Sequence, residues 1–311
     1  MQVFNRFHDI PASARGGVLT IGNFDGVHLG HAAVIAKVRA LAAALPGPAG
    51  AMLFAPHPRA FFQPDAAHFT LTPLPQRLDL LAAQGLEFAA VLPFDHAMAS
   101  MAAEDFVARV LVAGFGVRHV VVGYDFCFGK GRRGTGTMLQ AEGATLGFGV
   151  SIETAAGDGA APYSSSRIRD FLRTGDVASA RALLGRWWRI EGEVIAGAGR
   201  GEGLGFPTAN ILLAPGNGLR HGIYASWVWI DGVRHAAASY LGKRPTFDNG
   251  APVFESFLLD YRGDLYGKTL AIDLVSYLRG DAPFAGIEAL KVQMQADCAE
   301  AWRRLLAGSS V

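Results

Sequence analysis

The chain has 311 residues, half of them hydrophobic and 18% charged, with a formal net charge of +1. That size and balance suit about two packed domains and exclude a disordered chain. Near-neutrality offers no general surface for nucleic acid or an anionic membrane, so any phosphate chemistry must come from local arrangement. The two cysteines, Cys127 and Cys298, have neither C-x-x-C nor zinc spacing and point to a reducing compartment. The N-terminal MQVFNRFHDIPASARGG lacks the apolar core of a signal peptide, and no apolar run approaches the ~20 residues of a membrane span. A cytoplasmic protein is expected.

Residues 18–153 alternate short apolar runs with amphipathic stretches. Strands are predicted at 18–22, 50–55, 87–92, 118–123 and 148–153, and helices at 29–45, 75–84, 103–113 and 137–146. This alternation argues for βαβ units: a Rossmann-like α/β domain with a parallel sheet and helices on both faces. Ligands of such sheets gather beyond the carboxyl ends of the strands.

The first of those ends, within VLTIGNFDGVHLGH at 18–31, carries the most chemistry. The apolar run breaks at Gly22, turns through Asn23-Phe24-Asp25-Gly26, and enters an alanine-rich helix at His28-Leu29-Gly30-His31. Strand, glycine-bearing turn and helix start form a place where backbone N–H groups meet a phosphate. His28 and His31, three apart, share one face of the helix start and suit the charge building on a phosphorus atom under attack. Gly30 leaves that approach unobstructed. Two other readings compete: a capped helix with two surface histidines, or a metal site, which would need further ligands. A Walker loop is excluded, because no Gly-Lys-Ser/Thr follows.

PHPR at 56–59 reads as a rigid turn and a site wall. In GYDFCFGKGRRGT, 123–135, aromatic residues alternate with Asp125 and Cys127 before Lys130, Arg132 and Arg133 cluster among glycines. This is either a solvated basic loop or the neighbour of a planar ligand carrying phosphate. Residues 162–185 read as two short helices, the first opened by Ser164–Ser166 with Arg167 and Arg169 close by. Capping explains the serines, and an anion explains the arginines as well.

Near Trp187 the pattern changes. Five short strand-like runs without helices between them occupy 188–277, with Asp231-Gly232 as a hairpin signal. They predict a small antiparallel β-barrel closed by a helix over 284–307, and hence domains 1–186 and 187–311. Within the barrel, glycines crowd AGAGRGEGLGFPTAN at 196–210, reading as a flap or surface loop. Thr208 and Asn210 are two apart, so on a strand both face one way and suit a Mg²⁺–nucleotide. A polar strand end is the competing reading. Glu255 alternates with Val253 and Phe257 on an apolar strand face, where a carboxylate is costly unless paired or functional. It suits a general base, against the alternative of an ordinary ion pair.

In the same order along the chain, GNFDGVHLGH, FAPHPR, GYDFCFGKGRRG, SSSRIR, GFPTAN, KRPTF and DLYGK resemble the bacterial bifunctional riboflavin kinase/FAD synthetase family. The resemblance implies an N-terminal FMN adenylyltransferase and a C-terminal riboflavin kinase. The substrates would be riboflavin, FMN and ATP with Mg²⁺, FMN the intermediate and FAD the product, in a monomer or weak homo-oligomer. It assigns His28 and His31 to catalysis of adenylyl transfer. Gly22, Asn23, Phe24, Asp25, Gly30, Ser164, Ser165, Ser166 and Arg167 would meet ATP phosphates, and His57, Pro58, Asp125 and Phe128 would meet FMN. In the kinase it gives Gly205, Pro207, Thr208 and Asn210 to Mg-ATP, with Thr208 reaching Mg²⁺ through the nucleotide, and Glu255 to base catalysis. Ser166, Ala198, Glu202 and Tyr240 depart from the family pattern. The last three fall in the kinase half, so the resemblance leaves two alternatives: an adenylyltransferase whose barrel only binds flavin, and a flavin sensor.

Overall fold

The structure, a computed structural model, describes residues 1–196, 208–243 and 252–307. The chain forms two units, Met1–Ala66 with Thr70–Ser165 and Ala67–Phe69 with Ser166–Val311.

The first unit is built on strands β1 (Gln2–Phe4), β2 (Val18–Ile21), β3 (Ala49–Ala55), β4 (Phe88–Pro93) and β5 (His119–Gly123). A two-stranded ribbon, β6 (Cys127–Phe128) and β7 (Gly134–Thr135), precedes β8 (Gly149–Glu153). The main sheet runs β1-β4-β3-β2-β5-β8 with every neighbouring pair parallel. All four residues of β2 are buried, as a strand covered on both faces requires. On one side Leu19, Met52, Leu92 and Val120 pack with Phe106, Leu111 and Leu139. On the other, Val18, Leu53, Ala89 and Val121 pack with Ile35, Val38 and Leu81. The helices Phe106–Phe115 and Gly136–Leu146 thus cover one face, and Leu29–Ala44 and Leu74–Ala83 the other.

Chain order reverses at β2, with β3 and β4 on one side and β5 and β8 on the other. The crevice beyond the carboxyl ends of β2 and β5 is therefore the topological switch point. The short helices Pro58–Phe62 and His96–Ser100 and the β6–β7 ribbon were not in the sequence reading, and two further features depart from it. Three-residue β1 adds a sheet edge that its exposed, non-alternating side chains did not announce. The helix expected over 103–113 is a single turn, Ala103–Asp105, followed by a π-helical Phe106–Phe115 that ends at left-handed Gly116. Its buried pairs, 106/107, 110/111 and 114/115, recur every four residues. That repeat is longer than the 3.6 of an α-helix, and wider i→i+5 turns keep it on one face.

In the second unit, helix Val177–Leu184 leads into β9 (Trp188–Glu193), β10 (Thr208–Leu212), β11 (Gly222–Ile230), β12 (Val233–Lys243), β13 (Pro252–Leu258) and β14 (Thr269–Arg279). The antiparallel order is β10-β13-β12-β11-β14-β9. Ile230 pairs with Val233 across Asp231 (φ 50°) and Gly232 (φ 82°), the two left-handed residues that a tight hairpin demands. The sheet's two edges meet where the Ile195 N–H donates to the Asn210 carbonyl (2.9 Å), curling it into a barrel. Gly192 permits that approach, since a Cβ there would overlap Ile211. Inside, Tyr224, Leu241 and Phe254 surround a chain of serine hydroxyls, Ser226–Ser239 (2.6 Å) and Ser239–Ser256 (2.8 Å). Outside, the C-terminal helix Ile287–Ala307 packs Ala301 and Leu305 on Ala225, Ala236 and Val275.

Asp273 ties three strands of this barrel. It accepts two hydrogen bonds from Arg189 (2.7 and 2.8 Å) and one from Trp229 Nε1 (2.7 Å). Asp273→Ala removes all three at once and is expected to lower stability by about 2–3 kcal/mol, the scale for hydrogen bonds to a charged group. Urea unfolding measures this; an unchanged midpoint would contradict the assigned role.

Candidate active sites

The Gly22 N–H extends the β2 ladder to the Met52 carbonyl (3.0 Å), and the chain then turns. Phe24 (φ 51°) and Val27 (φ 40°) are non-glycine residues in left-handed conformations, flanking Gly26 (φ 87°). Such backbone persists only where its surroundings over-determine it. Asp25 supplies that constraint. Its carboxylate, 3% exposed, accepts from the Leu71 N–H (3.1 Å) and the Thr72 N–H (3.0 Å) and pairs with Arg77 (3.3 Å). Arg77 also donates to the Asn23 carbonyl (2.9 Å) and the Thr72 carbonyl (2.7 Å), while Ser165 Oγ donates to the Asp25 carbonyl (2.8 Å). The sequence reading put Asp25 and Ser165 at the ATP phosphates; here both hold the turn that presents the histidines.

His28 caps the Leu29–Ala44 helix, its Nδ1 accepting from the His31 N–H (3.3 Å). The two imidazoles stack, centroids 3.7 Å apart and 16° from parallel, with Phe24 edge-on to His31 at 5.1 Å. Face-to-face rings suit two donors to one anion better than two lone pairs converging on one metal ion. Among the described residues no group of three His, Cys, Asp or Glu is gathered as a metal site. Gly30 matters for a reason more specific than open space: a Cβ would lie 3.1 Å from the His28 ring and 3.2 Å from Tyr163 Cβ. At Gly22 a Cβ would press on the Phe24 ring at 3.3 Å. The buried Asn23 Oδ1 has no hydrogen-bond partner among the described residues. The N–H groups and dipole of the helix start suit an anion, whereas the Asn23 Oδ1 only accepts and suits a donor on a ligand.

Flanking strands supply the rest of the switch-point crevice. After β3, His57 Nδ1 accepts from the Arg59 N–H (3.0 Å) and caps the short helix Pro58–Phe62. After β5, Asp125 is exposed in a turn, and Lys130, Arg132 and Arg133 are exposed between β6 and β7. Phe128 is buried in the core, stacked on Phe126 at 5.4 Å and tilted against Phe106 at 5.6 Å. Of that pair Phe126 is the half-exposed ring. Ser164 and Arg167 are half-buried at the start of helix Ser165–Thr174, and Ser166 is exposed.

The second unit gathers its own group. Across β10, β13 and β12, Asn210 stands opposite Glu255 and Glu255 opposite Tyr240, with Thr208 opposite Phe257. Register therefore puts Thr208, Asn210, Glu255 and Tyr240 on one face. Asn210 is 3% exposed, and its Nδ2 donates to the Thr208 carbonyl (3.1 Å). A cavity of about 430 Å³ between this face and the C-terminal helix is lined by Thr208, Tyr240, Glu255, Arg279, Leu290 and Met294, among others. A larger one, about 920 Å³, is lined by Thr208, Phe257, Asp260, Tyr261, Asp264 and Tyr266 among others, so the two cavities share Thr208 and Phe257. Arg279 is fixed at the first by Asp297 (2.8 and 2.6 Å), whose carboxylate raises its pKa. Burial, then the Asp281 carboxylate, pushes the Tyr240 phenol up to about 12; burial, then Asp297, pushes the Cys298 thiol up to about 11. Both stay protonated at neutral pH. Gly205, Pro207, Ala198 and Glu202 lie outside the described residues, as do 244–247 of KRPTF.

Family models described as FAD synthetase and riboflavin kinase match residues 10–167 and 184–305. The bifunctional riboflavin kinase/FMN adenylyltransferase of Pseudomonas fluorescens is 39% identical over 100% of this chain and 99% of its own length. The chain belongs to that family. The Escherichia coli K12 member is 34% identical over 96% of each chain, and that of Listeria monocytogenes 34% over 90% of each. A solved structure described as a macrolide-efflux protein from Streptococcus pneumoniae shares the fold, with TM-score 0.84, 27% identity and coverage of 95% and 96%. Efflux is said of that protein; here no described helix is long and apolar enough to cross a membrane.

Sequence reasoning missed Arg77, and the signal for it was present. LPQRLDLL puts an arginine one position from the apolar stripe of a helix, where a buried partner should have been sought. Gly30→Ala tests the first site. It is expected to displace the His28 ring and lower FAD formation from FMN about tenfold or more, since small misplacements of reacting groups have effects on that scale. Unchanged turnover would show that the stack tolerates a methyl group.

Proposed function

We propose that the first unit transfers AMP from ATP to FMN, and that the second transfers the γ-phosphoryl group of ATP to the 5′-hydroxyl of riboflavin. In adenylyl transfer an FMN phosphate oxygen attacks the α-phosphorus, the bond to the bridging oxygen breaks, and pyrophosphate leaves. The observation supporting this role is the stacked His28–His31 pair at a helix start on the switch-point crevice. N–H donors there are placed to bind charge that grows in the transition state. Gly22 and Asn23 are assigned to ATP, and Asp125, Phe126 and the 130–133 cations face FMN in this reading. Ser164 and Arg167 are assigned to pyrophosphate.

In the kinase, Glu255 takes the 5′-hydroxyl proton as that oxygen attacks the γ-phosphorus and ADP departs. The shared Thr208 supports this reading, because it gives an apolar flavin cavity and a polar nucleotide cavity one common wall. Mg²⁺ fits the donor set: the Thr208 hydroxyl and Asn210 amide are hard oxygen donors, completed by nucleotide phosphates rather than by a protein cage. When bound it neutralises phosphate charge. Gly205 and Pro207 are assigned to the same nucleotide. Domains 1–186 and 187–311, and a cytoplasmic location suited to two free thiols, belong to the same proposal.

His28→Ala is expected to lower FAD formation from FMN about 100-fold, the scale of one lost transition-state donor, with FMN formation from riboflavin unchanged. Glu255→Gln is expected to do the reverse, losing about 100-fold in FMN formation, as general bases do. Chromatography of the flavins measures both; equal loss of the two activities in either folded variant would contradict the division of labour.

A further inference from the structure

The kinase proposal leaves one large residue of its cavity unused. Tyr240 is the cross-strand partner of Glu255, and both line the cavity of about 430 Å³. Directly opposed residues of an antiparallel pair hold their Cβ atoms about 4.5–5.5 Å apart. A hydroxyl close enough to lose its proton to Glu255 must come within about 3 Å of that carboxylate, on the strand face and in the cavity that Tyr240 shares. The direction of the ring is set by the strand itself. Tyr240 lies along β12 over Gly242, where a Cβ would fall inside the phenol ring and hydroxyl. The missing side chain at 242 is therefore the slot that takes the ring, one same-face position along from the Glu255 pair, with the phenol hydrogen-bonded to Asp281. Ile223, Phe257, Phe284 and Met294 complete a largely apolar enclosure.

We propose that the Tyr240 ring, laid into the slot at Gly242, is the specificity-determining wall that holds riboflavin with its 5′-hydroxyl at Glu255. This rests on the kinase reading above. The ring limits the acceptor to one pose, and without it the ribityl chain has a phenol-sized space to occupy away from the base. Gly242 acts only through the ring, so the two positions form a coupled pair.

The test is a double-mutant cycle on the full chain, with Tyr240→Ala, Gly242→Ala and the combination. Riboflavin and ATP kinetics are measured for each, together with riboflavin binding by flavin fluorescence in the absence of ATP. Tyr240→Ala is expected to lower kcat/KM for riboflavin about tenfold or more, a loss on the scale of removed pocket contacts, with the KM for ATP unchanged. Gly242→Ala is expected to give a similar loss with Tyr240 still present, and the double variant no more than Tyr240→Ala alone. Tyr240→Phe, which keeps the ring, should recover most of the loss. Where Tyr240→Ala fails to fold, judged by circular dichroism and the thermal midpoint, Tyr240→Leu takes its place in the cycle. A Tyr240→Ala enzyme with unaltered riboflavin kinetics, or losses that multiply in the double variant, would overturn the proposal. Riboflavin affinity without ATP separates this result from a failure of Glu255 as base: Glu255→Gln with normal turnover removes the base, whereas the wall is read from binding alone.

Discussion

A buried carboxylate holds the first site in shape. Asp25 sits in a turn with two left-handed non-glycine residues, Phe24 and Val27, and strain of that kind is of order 1–3 kcal/mol per residue. Against it stand two backbone N–H donors and the Arg77 guanidinium, all reaching one carboxylate. Removing one partner of a buried pair typically costs about 3–5 kcal/mol, so the clamp is of the same size as the strain it opposes. The histidines inherit their placement from that balance. His28 begins its helix three residues after Asp25, and Ser165 returns from far along the chain to bond the Asp25 carbonyl. The face proposed for catalysis is thus the outer side of a tightly bonded turn, whose backbone Asp25 fixes.

The second unit reaches the same end by register rather than by a clamp. Pairing β10 with β13 and β13 with β12 aligns Asn210, Glu255 and Tyr240 in a row, and the period of two puts Thr208 on that same face. The barrel's inner face is filled with apolar side chains and the serine chain, so the chemistry is carried outside, under the C-terminal helix. A one-residue slip of β13 would exchange Glu255 for Ser256 on that face. Closure of the barrel at Ile195 and Asn210 opposes such a slip, because it fixes the edge strand that β13 pairs with.

Much of this was legible in the sequence, and the rest was hidden for physical reasons. Continuous apolar runs such as Val18–Ile21 announced a buried parallel sheet, and Asp231-Gly232 announced the β11–β12 hairpin of the barrel. The meeting of His28 and His31 was legible too, because local spacing alone sets which face of a helix start two side chains share. The function of Asp25 was not legible. Its partners, Leu71, Thr72 and Arg77, lie some fifty residues away, and nothing local distinguishes a carboxylate that meets phosphate from one that meets a loop. The burial of Phe128 was not legible either, because packing against Phe106, distant in sequence, decides that this ring is core. Tyr240 read only as a departure from a family pattern until strand pairing set it opposite Glu255.

The central claim is that one chain carries two separate phosphate sites acting in succession on a flavin. The most direct test is a time course of the unaltered protein with riboflavin, ATP and Mg²⁺, with products resolved by chromatography, beside a reaction started from FMN. FMN is expected to rise first and FAD to follow at its expense, and added FMN to yield FAD without delay. FAD formed only from added FMN, or no product from either flavin, would contradict it.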